Sequence, residues 1–250
     1  MDDPRDGDRM RAIWRSAITE VRPNELLTHG LDQRTIIREF SFEETVFFVI
    51  QGRRPTAVQG SMMRAVLVST HGHGITGQSA LAVIAAADCR SDFLHALMAG
   101  FSVGAGNVHL GATAAAMGEL AYLAPLSEAE LEREVGDRLA RHRRFTGFGH
   151  RFHADDPRAR TILDLAAEQG FGGPHLTVAR RIEAMLRERK GLALNIAGAN
   201  AAILLDLGFD PRIAQVFIVL GRSAMFAALY LERSVQERRP FPRVEVADVE

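Results

Sequence analysis

The spacing of apolar residues constrains this chain more than any other feature. They recur every three or four positions through most of the sequence, and no run of valine, isoleucine or aromatic residues alternates convincingly at period two. Segments 57–69, 79–88, 92–100, 160–169, 176–188, 193–207 and 212–233 all read as helices in this way. Residues 112–124, with small residues, mostly alanine, and Met117, read as a further, tightly packed helix stopped at Pro125. Ser41 with Glu44, and Ser127 with Glu130, form capping boxes that open two more. Asp156-Pro157 reads as an N-cap followed by proline at the first helical position. Residues 11–21 carry loosely helical spacing, and 20–34, with Pro23 and Gly30, suit a connection. The expected fold class is all-α.

Composition narrows the function. A formal net charge of -1 over 250 residues offers no electrostatic case for nucleic acid or an anionic membrane surface. Cys89 is the single cysteine, which rules out an internal disulfide framework and any multi-thiolate metal site, and fits a reducing compartment. No stretch of 18 uninterrupted apolar residues occurs and the first residues alternate in charge, so a soluble, cytoplasmic protein is expected. Nearly all basic residues are arginine, Lys190 being the one lysine.

Chemistry is densest at 147–158, G-F-G-H-R-F-H-A-D-D-P-R. Gly147 and Gly149 let the backbone approach a ligand, His150 follows as a titratable group, and Arg158 sits in the first turn of the predicted helix, a place that suits an anion. His73 and His109 also lie in glycine-containing loops at helix ends. Arg222 falls in the middle of the most apolar helix, where a guanidinium needs a carboxylate from a ligand or from the protein, Asp206 and Glu232 being the protein candidates. The His71-x-His73 pair has no supporting cluster, so no metal is expected. Nucleophilic catalysis lacks a G-x-S-x-G elbow, and Cys89 has no adjacent base.

These motifs together resemble those of the citrate synthase superfamily, and within it the short citryl-CoA lyases or citrate synthase-like proteins. The similarity runs from about Ser16 to Arg243. It rests on S-F-E-E with R-P-T at 41–56, H-G-I-T at 73–76, the 106–111 loop around His109, the 147–158 signature and the L-N-I…L-G-F-D-P segment at 194–211. The resemblance implies a helical protein with a large domain, 1–111 and 204–250, a small one, 112–203, and a cleft between them. It also implies a homodimer or higher homo-oligomer, with helices 79–88 and 112–124 as candidate interface elements.

By the same resemblance His73 and His150 contact oxaloacetate or a related keto acid. His109 polarises a thioester carbonyl so that an enolate can form. Arg158 and Arg222 bind carboxylates, with Arg239 as a third across the dimer interface. In the cleavage direction His150 assists loss of the hydroxyl proton. No bound cofactor is implied, since the CoA thioester is itself a substrate. The sequence departs from the family pattern at three places: Ala197 stands where the family has its catalytic aspartate, Gly72 where it has another aspartate, and Leu110 where it has a glycine. The expected function is carbon–carbon bond cleavage or formation between a CoA-thioester enolate and a keto acid, impaired by Ala197. The alternative is a catalytically silent acyl-CoA or carboxylate-binding protein, or a non-catalytic subunit of the same fold.

Overall fold

The computed structural model describes residues 16–106 and 109–236. The chain divides into two compact units, 1–63 and 64–250.

The first unit contains the only strands among the described residues. Thr19–Arg22 (β1), Glu25–Thr28 (β2) and Leu31–Asp32 (β3) form an antiparallel meander. Of the helical spacing read over residues 11–21, positions 11–15 lie outside the described residues, and 19–21 belong to a strand instead. The turns decide this. Pro23-Asn24 joins β1 to β2 in two residues, with Asn24 at φ 61°, and His29-Gly30 joins β2 to β3 with φ 47° and 79°. Strands this short leave no visible alternation. Gln33–Glu39 (α1) and Phe42–Gln51 (α2) follow, and α2 carries the expected capping box and ends at Gly52 with φ 71°. Ala57–Ser69 (α3) runs on past the unit boundary.

The second unit is helical: Gln78–Asp88 (α4), Phe93–Gly104 (α5), Ala112–Leu123 (α6), Glu128–Ala140 (α7), Pro157–Glu168 (α8), Pro174–Lys190 (α9), Ile196–Asp206 (α10) and Ala214–Val235 (α11). Small residues let α4 and α5 pack closely, and α11 crosses both, burying Val83, Ala96 and Phe226 completely. Helix α10 is buried all round from Gly198 to Leu204, with α6, α8 and α9 against it. The N-terminus of α9 is capped from α10 rather than locally. Gly173 has no side chain to offer, and Asp206 accepts from the main-chain N–H groups of His175 (3.1 Å) and Leu176 (2.9 Å) and from the His175 ring (2.8 Å). By length and composition α11 is apolar enough to cross a membrane, yet Phe217, Ile218, Arg222, Phe226 and Leu229 are buried against protein.

Two close approaches position the chemistry. Gly221 lets α11 pass the end of α3, where an added Cβ would stand 2.0 Å from Thr70 Oγ1 and 2.3 Å from the Leu67 carbonyl oxygen. The start of α10 is likewise pressed on the glycine loop, an added Cβ at Gly198 falling 2.4 Å from the Gly147 carbonyl oxygen.

Candidate active site

Residues 147–149 pair with 193–195. Phe148 and Leu194 form an antiparallel bridge, Gly149 N donates to Ala193 O at 2.7 Å, and Asn195 N donates to Gly147 O at 2.9 Å. Asn195 completes the clamp: its Nδ2 donates to Gly149 O at 2.7 Å while its Oδ1 accepts from Ala197 N and Gly198 N, capping α10. Gly147 and Gly149 adopt φ 91° and 76°, which explains why this loop is glycine-bracketed. His150 leaves the clamp with its Nδ1 accepting from the main-chain N–H groups of Phe152 (3.1 Å) and His153 (3.3 Å). An uncharged ring that accepts at Nδ1 carries its proton on Nε2, so His150 presents a donor to the cavity. Burial first, then the neighbouring His153, Arg158 and His73, push its pKa below 6.5, with Asp156 opposing.

Asp156 does more than cap α8. It is 1% exposed, and its carboxylate grips Arg158 through Nε at 3.0 Å and Nη2 at 2.9 Å. The same carboxylate accepts from Ile196 N at 3.1 Å, so one buried group ties Arg158 to the first turn of α10. Burial alone would raise its pKa, but the hydrogen bonds and charge of Arg158, with the Ile196 N–H, outweigh it and hold the carboxyl below 3.8. Arg158 Nη2 stands 3.5 Å from His150 Nε2, so the two donors are close enough to share one acceptor oxygen of a ligand.

His73 holds the opposite tautomer. Thr76 Oγ1 gives its single proton to the His73 carbonyl at 2.7 Å, so the 2.7 Å contact between His73 Nδ1 and Thr76 Oγ1 has the ring donating, and the Nε2 keeps a lone pair. Its ring is 5.5 Å from that of His150. His109 Nε2 lies 2.8 Å from Ser79 Oγ, and burial, followed by Arg222, Arg151 and His73, holds it below 6.5 and therefore neutral at pH 7.

Arg222 is 7% exposed, and its Nε donates to Thr70 O at 2.9 Å. Neither protein carboxylate that might have balanced it does so, since Asp206 caps α9 and Glu232 accepts from Gln236. Among the described residues no carboxylate pairs with it, and burial, with Arg158 nearby, lowers its pKa.

His73, His109, His150, Arg158, Arg222 and Ala197 all line one cavity of about 290 Å³. Arg239 lies outside the described residues. Arg151, Ser69 and Asn200 share the cavity and were not singled out; Arg151 stands within the 147–158 signature, whereas Asn200 is visible only once α10 is known to bring it one turn past Ala197. Among the described residues no Asp or Glu lines the cavity. Nitrogens of His73, His150 and His153 approach within 4.8 Å of one another, whereas His71 binds Val68 O instead. A second cavity, about 480 Å³, shares Gly149, His150 and Arg151 with the first and adds Arg143, Arg144 and Lys190 over Leu139, Leu186 and Phe148. The R-H-R-R run at 141–144 was the available signal for it.

The family described as citrate synthase, C-terminal domain, matches residues 57–243. The chain belongs to the citrate synthase family. Within that fold it is similar to citryl-CoA lyase from Hydrogenobacter thermophilus, with 29% identity and TM-score 0.84 over 93% of this chain and 91% of that one. ATP citrate lyase from Methanothrix soehngenii, solved with citrate and coenzyme A, superposes at TM-score 0.87 and 19% identity, over 100% of this chain but 44% of that one. Citrate synthase from Thermoplasma acidophilum, in ternary complex with carboxymethyl coenzyme A and oxaloacetate, gives TM-score 0.71 and 22% identity over 82% of this chain and 56% of that one. No curated protein matched the sequence.

Proposed function

We propose that this citrate synthase family member breaks or makes the carbon–carbon bond between a CoA-thioester enolate and a keto dicarboxylate such as oxaloacetate. One observation carries the proposal: Arg222 is a buried cation that no carboxylate among the described residues pairs with, in a cavity whose described lining has two further guanidinium groups and no acidic residue. A group so placed is costly unless a ligand brings the negative charge. The similarity to a citryl-CoA lyase over nearly the full length of both chains supports the same class of substrate.

In this reading Arg158 and Arg222 hold the carboxylates of the keto acid. His150 donates from Nε2 to the keto or hydroxyl oxygen, and neutral His109 stabilises charge on the thioester oxygen as it develops. In the cleavage direction the hydroxyl proton goes to the lone pair on His73 Nε2, because His150 is already committed as a donor. The phosphates of CoA lie against Arg143, Arg144 and Lys190 in the second cavity. Residues 112–203 would close as the small domain, and the oligomer would bring in Arg239, as the resemblance implies.

Citryl-CoA cleavage followed as keto-acid release tests the activity, and calorimetry with oxaloacetate tests the site. Arg143→Ala with Arg144→Ala should raise KM for the thioester about tenfold or more, with kcat little changed. A silent binding protein is favoured by the lack of a carboxylate among the described residues that line the cavity. It would bind oxaloacetate and CoA thioesters without turnover.

A further inference from the structure

Enolising an acyl-CoA by proton removal needs a positioned base at its α-carbon, and among the described residues no carboxylate lines the cavity for that task. Asp156, the acid tied to its wall, is fully buried behind Arg158, with its oxygens taken by Arg158 and Ile196 N. The wall around Ala197 is instead uncharged. It consists of Ile196 and the alanine methyl, with Ile218 also lining the cavity and Asn200 one helical turn further along α10. Asn200 is 2% exposed and donates from Nδ2 to Ser69 Oγ at 3.0 Å, while Ser69 donates on to Val66 O at 2.8 Å. An amide and a hydroxyl so engaged fix geometry and take no proton. The imidazoles have other tasks in the reading above: His150 is a donor, the free lone pair of His73 Nε2 serves the hydroxyl of the keto-acid half, and His109 sits on Ser79.

We infer that the site takes a CoA thioester already carrying a carboxylate on its α-carbon, and forms the enolate by releasing carbon dioxide instead of removing a proton. This rests on the keto-acid and thioester reading above. The bond between the α-carbon and its carboxylate breaks, and its electron pair becomes the enolate, whose charge falls on the thioester oxygen beside His109. The α-carbon then bonds to the keto carbon of the second substrate. The resulting alkoxide, hydrogen-bonded by His150, takes one proton from solvent, and carbon dioxide leaves. No oxidant or reductant is involved.

The residue at position 197 decides between the two routes. A carboxylate base there would repel a substrate carboxylate, whereas a methyl group leaves space and removes that charge. The apolar side chains of Ile196, Ala197 and Ile218 desolvate the departing carboxylate, which favours a transition state with its charge spread into the thioester.

Malonyl-CoA labelled at its free carboxylate, with oxaloacetate, provides the test. Labelled carbon dioxide should be released only when both are present, at about tenfold or more above either alone. Acetyl-CoA in D2O with oxaloacetate should incorporate no deuterium at its methyl group. Ala197→Asp should reverse the preference, losing about tenfold or more of the labelled release and gaining methyl exchange. Calorimetry with oxaloacetate separates the failures. No oxaloacetate binding overturns the proposed function and this inference together. Oxaloacetate binding without labelled release, whether or not acetyl-CoA exchanges, overturns the inference alone.

Discussion

Replacing Arg222 by methionine should leave the empty protein as stable or more stable while removing its affinity for keto diacids. The guanidinium is 7% exposed and makes one recorded hydrogen bond, Nε to Thr70 O at 2.9 Å, with no carboxylate against it. Burying an uncompensated cation costs several kcal/mol even after relaxation, and a hydrogen bond from a charged donor returns about 1.5–3 kcal/mol. Methionine has similar length and no charge, so the balance favours the variant by about 0–2 kcal/mol, a rise in Tm of about 0–8 °C. Binding should move the other way. Losing a buried charged hydrogen-bond partner to a ligand costs about 2–5 kcal/mol, which is about 30- to 4,000-fold in Kd for oxaloacetate. Urea unfolding of the apo protein and calorimetry with oxaloacetate measure the two effects. A loss of more than about 2 kcal/mol of stability, or unchanged oxaloacetate affinity, would refute the assignment of Arg222 to a ligand.

Asp206→Ala should cost about 2–4 kcal/mol in urea unfolding, because it uncaps two main-chain N–H groups of α9 and a histidine ring at once. Gly198→Ala should cost about 3 kcal/mol or more, since its Cβ would meet the Gly147 carbonyl oxygen at 2.4 Å; an unperturbed urea midpoint would mean the loop yields. His109 and His150 both have folded pKa values below the 6.5 of a free histidine, so the unfolded chain takes up protons first on acidification. Stability should therefore be constant above about pH 6.5 and fall as pH drops below it, levelling once both histidines are protonated in the folded state too. Asp156 adds a separate loss at lower pH, below 3.8, where its carboxylate protonates and releases Arg158. Oxaloacetate binding near pH 7 should take up protons, seen as a buffer-dependent calorimetric enthalpy, because its negative charge raises the pKa of neutral histidines around it.

The helical class, both capping boxes, the Asp156-Pro157 helix start and the family motifs were legible in the residues, because each depends on neighbours within one turn of chain. The strands at 19–32 were not, since four residues show too little alternation, although Pro23-Asn24 and His29-Gly30 mark the turns. The candidate site divides along the same line. His73, His109, His150, Arg158 and Ala197 stand out in motifs, and Arg222 by its charge in an apolar helix. Which carboxylate partners they have did not. Asp206 and Glu232 were equally good partners for Arg222 on paper, and only the packing of α10 against α9 commits Asp206 to a cap, while Gly221 seats Arg222 on Thr70. The tautomers of His73 and His150 follow from Thr76 Oγ1 and from two main-chain N–H groups whose directions no residue pattern encodes. By itself the sequence determined which groups are present and which helices carry them, since those depend on local chemistry. The tertiary structure alone decided which charges remain uncompensated, because that depends on side chains more than a hundred residues apart meeting in a space that water has left.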